Sequence, residues 1–91
     1  MPPNLKIDIY TSRFDPNCMR AKGLLDRGGL DYNEFDVEND DFNREVMRKR
    51  SGGRTSLPQI FINGRAIGGF EELAGFLATL DSPPPSPPRS A

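Results

Sequence analysis

Apolar and polar residues alternate from Leu5 to Tyr10, LKIDIY, which predicts a strand with Leu5, Ile7 and Ile9 on one face. Residues 11–15 read as a loop. Asp15-Pro16 is a helix start, because Asp is a favoured N-cap and Pro fits the first helical position. The spacing of Met19, Leu24 and Leu25 predicts a helix from Pro16 to Arg27, closed by Gly28-Gly29. Leu30 to Val37 predicts a second strand. A helix over Phe42–Arg50 follows, with Phe42, Val46 and Met47 on one face and basic residues near its end, where cations suit the helix dipole. Leu57 to Ile62 reads as a strand entered through Pro58. Asn63-Gly64 is a hairpin turn, Arg65 to Ile67 the return strand, and a last helix runs from Phe70 or Glu71 to Leu80.

The predicted order is β-α-β-α-β-β-α. A β-α-β opening implies a right-handed parallel crossover, and the hairpin then completes a four-stranded mixed sheet with three helices packed on it. Residues 1–81 form one domain on this reading. Residues 82–91, SPPPSPPRSA, read as a flexible tail whose prolines hold it extended, or as a ligand for a proline-binding groove.

Composition narrows the function. The chain has 91 residues and a formal charge of −1, so no broad basic surface for nucleic acid is expected. No apolar run approaches the roughly 18 residues that cross a bilayer, and MPPNLKIDIY lacks the apolar stretch of a signal peptide. A cytoplasmic monomer is the expectation. With one cysteine, Cys18, and no histidine, there is no internal disulfide and no cysteine-rich zinc site. No metal site is expected, and any redox chemistry needs a thiol from outside the chain.

Three separated stretches, IYTSRFDPNC, SLPQIF and GGFEEL, lie in the order found in the glutaredoxins, and the chain closely resembles that family from Lys6 to Leu80. The resemblance implies the thioredoxin-like three-layer sandwich and glutathione-dependent thiol–disulfide exchange in cell redox homeostasis. Glutathione would be co-substrate or ligand, protein disulfides possible partners, and no cofactor would be tightly bound. The family's loop typically reads C-P-Y-C, with the first cysteine as nucleophile. The matching residues here are Asp15, Pro16, Asn17 and Cys18, so the nucleophile position holds a carboxylate.

Asp15 keeps an anion at a helix N-terminus while removing the sulfur. It reads as a plain N-cap, or as a base toward a bound thiol. Cys18 is the remaining loop thiol. It reads as a small buried hydrophobe, or as a site of slow glutathionylation or exchange. A cluster bridged by two subunits would lack the usual exposed thiolate, which disfavours iron–sulfur ligation. Exchange chemistry is accordingly expected to be impaired, and a non-catalytic module that binds glutathione or a peptide is the alternative.

The resemblance further implies a glutathione groove formed by Arg13, Asn17, Ser56, Leu57, Pro58, Gly69, Phe70 and Glu71. The family's matching proline is cis, exposing the backbone of Leu57 to an extended peptide; the local sequence alone fits an ordinary strand-entry proline equally well. Gly68-Gly69-Phe70 would offer N–H groups to the γ-glutamyl carboxylate. Glu71 matches the family's amine-binding Asp, or is simply a first-turn acid. Ser12 stands where the family often has a Lys, with Arg13, Arg50 and Arg54 as cations that would compensate. Tyr10 and Phe70 read as packing residues.

Overall fold

The computed structural model describes residues 5–81, so the proline-rich segment and its assignment as a tail lie outside the described residues. The elements are β1 (Ile7–Thr11), α1 (Pro16–Arg27), β2 (Asn33–Asp36), α2 (Asp41–Arg50), β3 (Gln59–Ile62), β4 (Arg65–Gly68) and α3 (Phe70–Asp81). They form one sheet in the order β2-β1-β3-β4. β1 pairs parallel with β2 and antiparallel with β3, and β3 pairs antiparallel with β4. This is the predicted thioredoxin-like architecture and element order.

Alternation along β1 divides the core between the two faces of the sheet. Ile7 and Ile9 lie opposite Ile62 and Ile60 in the β3 register. They pack with Ala21 and Leu25 of α1 and Leu73 of α3. Tyr10 turns to the other face, against Val37, Phe61 and Met47 of α2. Its ring stacks on Phe35 at 4.9 Å and meets Phe61 edge-on at 5.6 Å, so it packs as expected.

The predicted second strand is too long at its start. The Leu30 N–H donates to the Leu25 carbonyl, closing the end of α1, and so cannot join a ladder. Pairing begins at Asn33, opposite Asp8. The third strand likewise begins two residues late, at Gln59, because Pro58 has no N–H to donate. The hairpin turn is as predicted, with Asn63 and Gly64 at φ 53° and 82°.

Two helix faces differ from the hydrophobic spacing. On α1 the buried stripe is Cys18, Ala21 and Leu25, while Met19 is exposed. On α2 the inward positions are Asn43, Val46, Met47 and Arg50, so Val46 and Met47 pack as expected while Phe42 is exposed. Polar residues hold both ends of that stripe for a reason. The Asn43 amide donates to the Asp36 carbonyl at 3.0 Å. The Arg50 guanidinium donates to Asp8 and to the Tyr10 hydroxyl, each at 3.0 Å. It also lies 4.1 Å above the Phe61 ring. Asp8 can therefore sit buried in β1 with its charge paired.

Candidate functional site

The loop after β1 ends in the cap of α1. Asp15 has extended backbone, and one carboxylate oxygen accepts the N–H groups of Asn17 at 2.8 Å and Cys18 at 3.2 Å. Its own N–H donates to the Ser12 carbonyl. The plain N-cap reading of Asp15 is thus the geometry observed. The carboxylate takes up the N–H groups that would otherwise favour an anionic sulfur at the head of the helix.

Cys18 is fully buried. Its Sγ accepts the Ser12 N–H at 3.5 Å. Burial pushes the thiol up to about 11; the Ser12 hydrogen bond opposes this and the Asp15 charge adds to it. At neutral pH the sulfur is a protonated, covered thiol, which is a poor nucleophile.

A groove of about 310 Å³ opens beside this loop. α1 contributes Asn17 and Arg20 to its wall. The segment before β3 contributes Arg54, Ser56, Leu57 and Pro58, and the turn into α3 contributes Gly69, Phe70 and Glu71. The fold thus brings together every residue expected in the groove except Arg13. Arg13 is exposed on the loop and is not part of the lining. Asp15 and Cys18 are not part of it either, Cys18 lying beneath the loop. Arg50 is committed to Asp8 and Tyr10 in the core, which leaves Arg54 as the groove cation from that segment.

The Leu57–Pro58 bond is cis. Neither the N–H nor the C=O of Leu57 has a hydrogen-bond partner among the described residues. Gln59 fixes the segment by donating to the Ser56 carbonyl at 2.9 Å and to the Ser56 hydroxyl at 3.1 Å. The Gln59 Oε1 is buried and has no partner among the described residues.

The turn into α3 holds a surprise for the sequence. The Gly69 N–H is taken by the chain itself, donating to a Glu72 carboxylate oxygen at 2.9 Å. Glu72 is the third residue of the helix, so this is one half of a capping box. That bond lowers the Glu72 pKa, and the nearby Arg54 charge lowers it further. A Cβ on Gly68, whose φ is +116°, would stand 2.9 Å from the Glu72 side chain, so only glycine leaves the cap undisturbed. The N–H groups still open at this terminus belong to Phe70 and Glu71.

Arg20, Gln59 and Glu72 line the groove without having been assigned to it from sequence. Arg20 was legible in principle. It lies three residues after Asn17, which puts both on one face of α1.

A family model described as Glutaredoxin matches residues 7–67. A probable glutaredoxin of Synechocystis sp. is 44% identical over 73 residues, covering 80% of this chain and 83% of its own. The solution structure of a glutaredoxin from Brucella melitensis superposes with a TM-score of 0.66 at 39% identity, covering 81% of this chain and 79% of that one. A buckwheat glutaredoxin–glutathione complex superposes with a TM-score of 0.71 at 20% identity, covering 82% and 70%.

Proposed function

This chain belongs to the glutaredoxin family, and on that premise we propose that it receives glutathione in the groove and performs thiol–disulfide exchange only slowly. The reading is carried by one observation: the single thiol, Cys18, is buried and its pKa is raised to about 11, while the position that the resemblance matches to the family's nucleophile holds the carboxylate of Asp15. The groove supports the binding half. Leu57 offers a free N–H and C=O to an extended cysteinyl residue, as in strand addition. Phe70 and Glu71 offer N–H groups to a carboxylate. The buckwheat relative is a glutathione complex by its description.

Among the described residues no helix is long and apolar enough to cross a membrane. A cytoplasmic setting, a monomeric state and protein disulfides as partners belong to the same proposal. The experiment supplies a small disulfide, glutathione and a glutathione-reducing system and follows reductant consumption. Low turnover abolished by Cys18→Ser supports exchange through Cys18. Fast turnover restored by Asp15→Cys supports a groove that still presents glutathione to the loop. Rapid turnover by the unaltered chain would overturn the reading.

The second reading, a binding module with no chemistry, is favoured by the complete burial of Cys18. It predicts glutathione binding with no turnover and no mass shift on exposure to oxidised glutathione.

A further inference from the structure

Ser56 and Leu57 line the groove just ahead of β3, where the sheet ladder does not reach them. Neither makes a backbone–backbone hydrogen bond among the described residues. Two side chains hold them instead. Leu57 packs its own against the cluster of Tyr10, Val37, Met47 and Phe61. Gln59, anchored opposite Tyr10 in the ladder, reaches back with its amide and donates to both oxygens of Ser56. These are the only hydrogen bonds that Ser56 makes among the described residues. Gln59 is buried, and its Oε1 has no partner among the described residues. Turning the amide over would set Oε1 against the Ser56 carbonyl, acceptor facing acceptor. The grip on Ser56 thus fixes the amide's orientation and leaves Oε1 orphaned, which weakens the fold.

Resting on the reading that this groove takes glutathione, we propose that Gln59 is a positioning residue that aims the Leu57 N–H at the ligand. The Ser56 carbonyl and the Leu57 N–H belong to one peptide unit, and the bond between them is trans. In a planar trans unit the two groups point in opposite directions. Holding the carbonyl toward the Gln59 amide therefore directs the N–H away from it. The N–H is set before any ligand arrives, and an extended peptide meets a donor that needs no further ordering. Gln59 acts here through Ser56 and Leu57, and the orphaned Oε1 is the stability given up for that preset.

The test is calorimetric titration of the full chain with reduced glutathione, set beside urea unfolding, for the unaltered protein and for Gln59→Met. The variant keeps the length of the side chain and removes both the grip and the orphaned oxygen. Ser56 is exposed, so its freed oxygens turn to water. Glutathione should bind roughly tenfold more weakly to Gln59→Met, the order expected when one backbone unit must be ordered on binding. The urea midpoint should stay level or rise, since a buried unpaired acceptor is gone. Full affinity in the variant, or an affinity loss matched by a lower midpoint, overturns the positioning role and leaves the glutathione reading standing. No binding of glutathione to the unaltered chain overturns both. A measurement that needs no variant decides the matter should Gln59→Met fail to fold. In the free, unaltered chain the Leu57 amide should show an NMR order parameter of about 0.85, the value of rigid backbone, and glutathione should not raise it. A value below about 0.6 in the free chain, or a rise on binding, overturns the proposal.

Discussion

The Asp15 carboxylate accepts the Cys18 amide N–H at 3.2 Å, which bonds the N-cap of α1 to the backbone of the only thiol in the chain. One carboxylate therefore takes two roles from that thiol. It satisfies the helix terminus that would stabilise a thiolate, and it places a negative charge beside the sulfur.

The first expected outcome concerns alkylation. Cys18 should react very slowly with iodoacetamide at neutral pH, with the rate rising toward a midpoint of about 11. Denaturant should abolish this protection and return the midpoint to that of an ordinary thiol. The sign for stability follows. A raised folded pKa means stability is full below the ordinary thiol value of 9.0 and is lost as pH climbs through about 11. Mass spectrometry across a pH series measures the first, and denaturant melts measure the second.

The cap is testable by stability. Asp15→Ala should destabilise the fold by about 1 kcal/mol, and Asp15→Asn should be nearly neutral, because Asn caps as well as Asp. Urea titrations compare the three. A large loss with Asn would mean that charge, rather than the hydrogen bonds to Asn17 and Cys18, holds the loop.

Arg50→Met should cost about 3 kcal/mol in the same measurement. It leaves the buried Asp8 without its ion pair, retaining only the Asn33 amide at 3.1 Å, and it strips the cation from Phe61. The double variant Asp8→Asn, Arg50→Met should recover part of that loss, since no charge is then stranded.

Acid should weaken the contact between β1, α1 and β2. Burial works to raise the Glu34 pKa, but hydrogen bonds from Lys22 at 2.9 Å and Thr11 at 2.7 Å outweigh it, and the pKa is lowered. A depressed carboxylate contributes stability above its unfolded pKa and loses it as pH falls through the folded one. The pair is 31% and 37% exposed, so screening keeps the effect below about 1 kcal/mol. Glu34→Gln should flatten the acid limb of stability against pH. An unchanged limb would exclude Glu34 as its source.

The helix faces show why hydrophobic spacing is an incomplete guide. Phe42 and Met19 carry the apolar signal yet stand in solvent, while Asn43 and Arg50 turn inward. A side chain is buried when partners satisfy it, and those partners sit on other elements: Asp36 of β2 for Asn43, and Asp8 and Tyr10 of β1, far away in sequence, for Arg50. Arg50 and Arg54 look alike as cations flanking a glycine pair. Only the fold assigns the first to Asp8 and the second to the groove.

Local chemistry was sufficient for the elements, their order, the Asp15 cap and the Asn63-Gly64 turn, because each depends on residues within a few positions of one another. Three motifs also sufficed for most of the groove. Tertiary structure decided between the two readings of Cys18 by covering it, and it alone decided that Glu72 closes the Gly69 N–H and that Arg20 of α1 comes within 6.0 Å of the Phe70 ring of α3. Desolvation, side-chain competition for a backbone donor and the meeting of two helices depend on which surfaces come together, and a linear pattern does not carry that information.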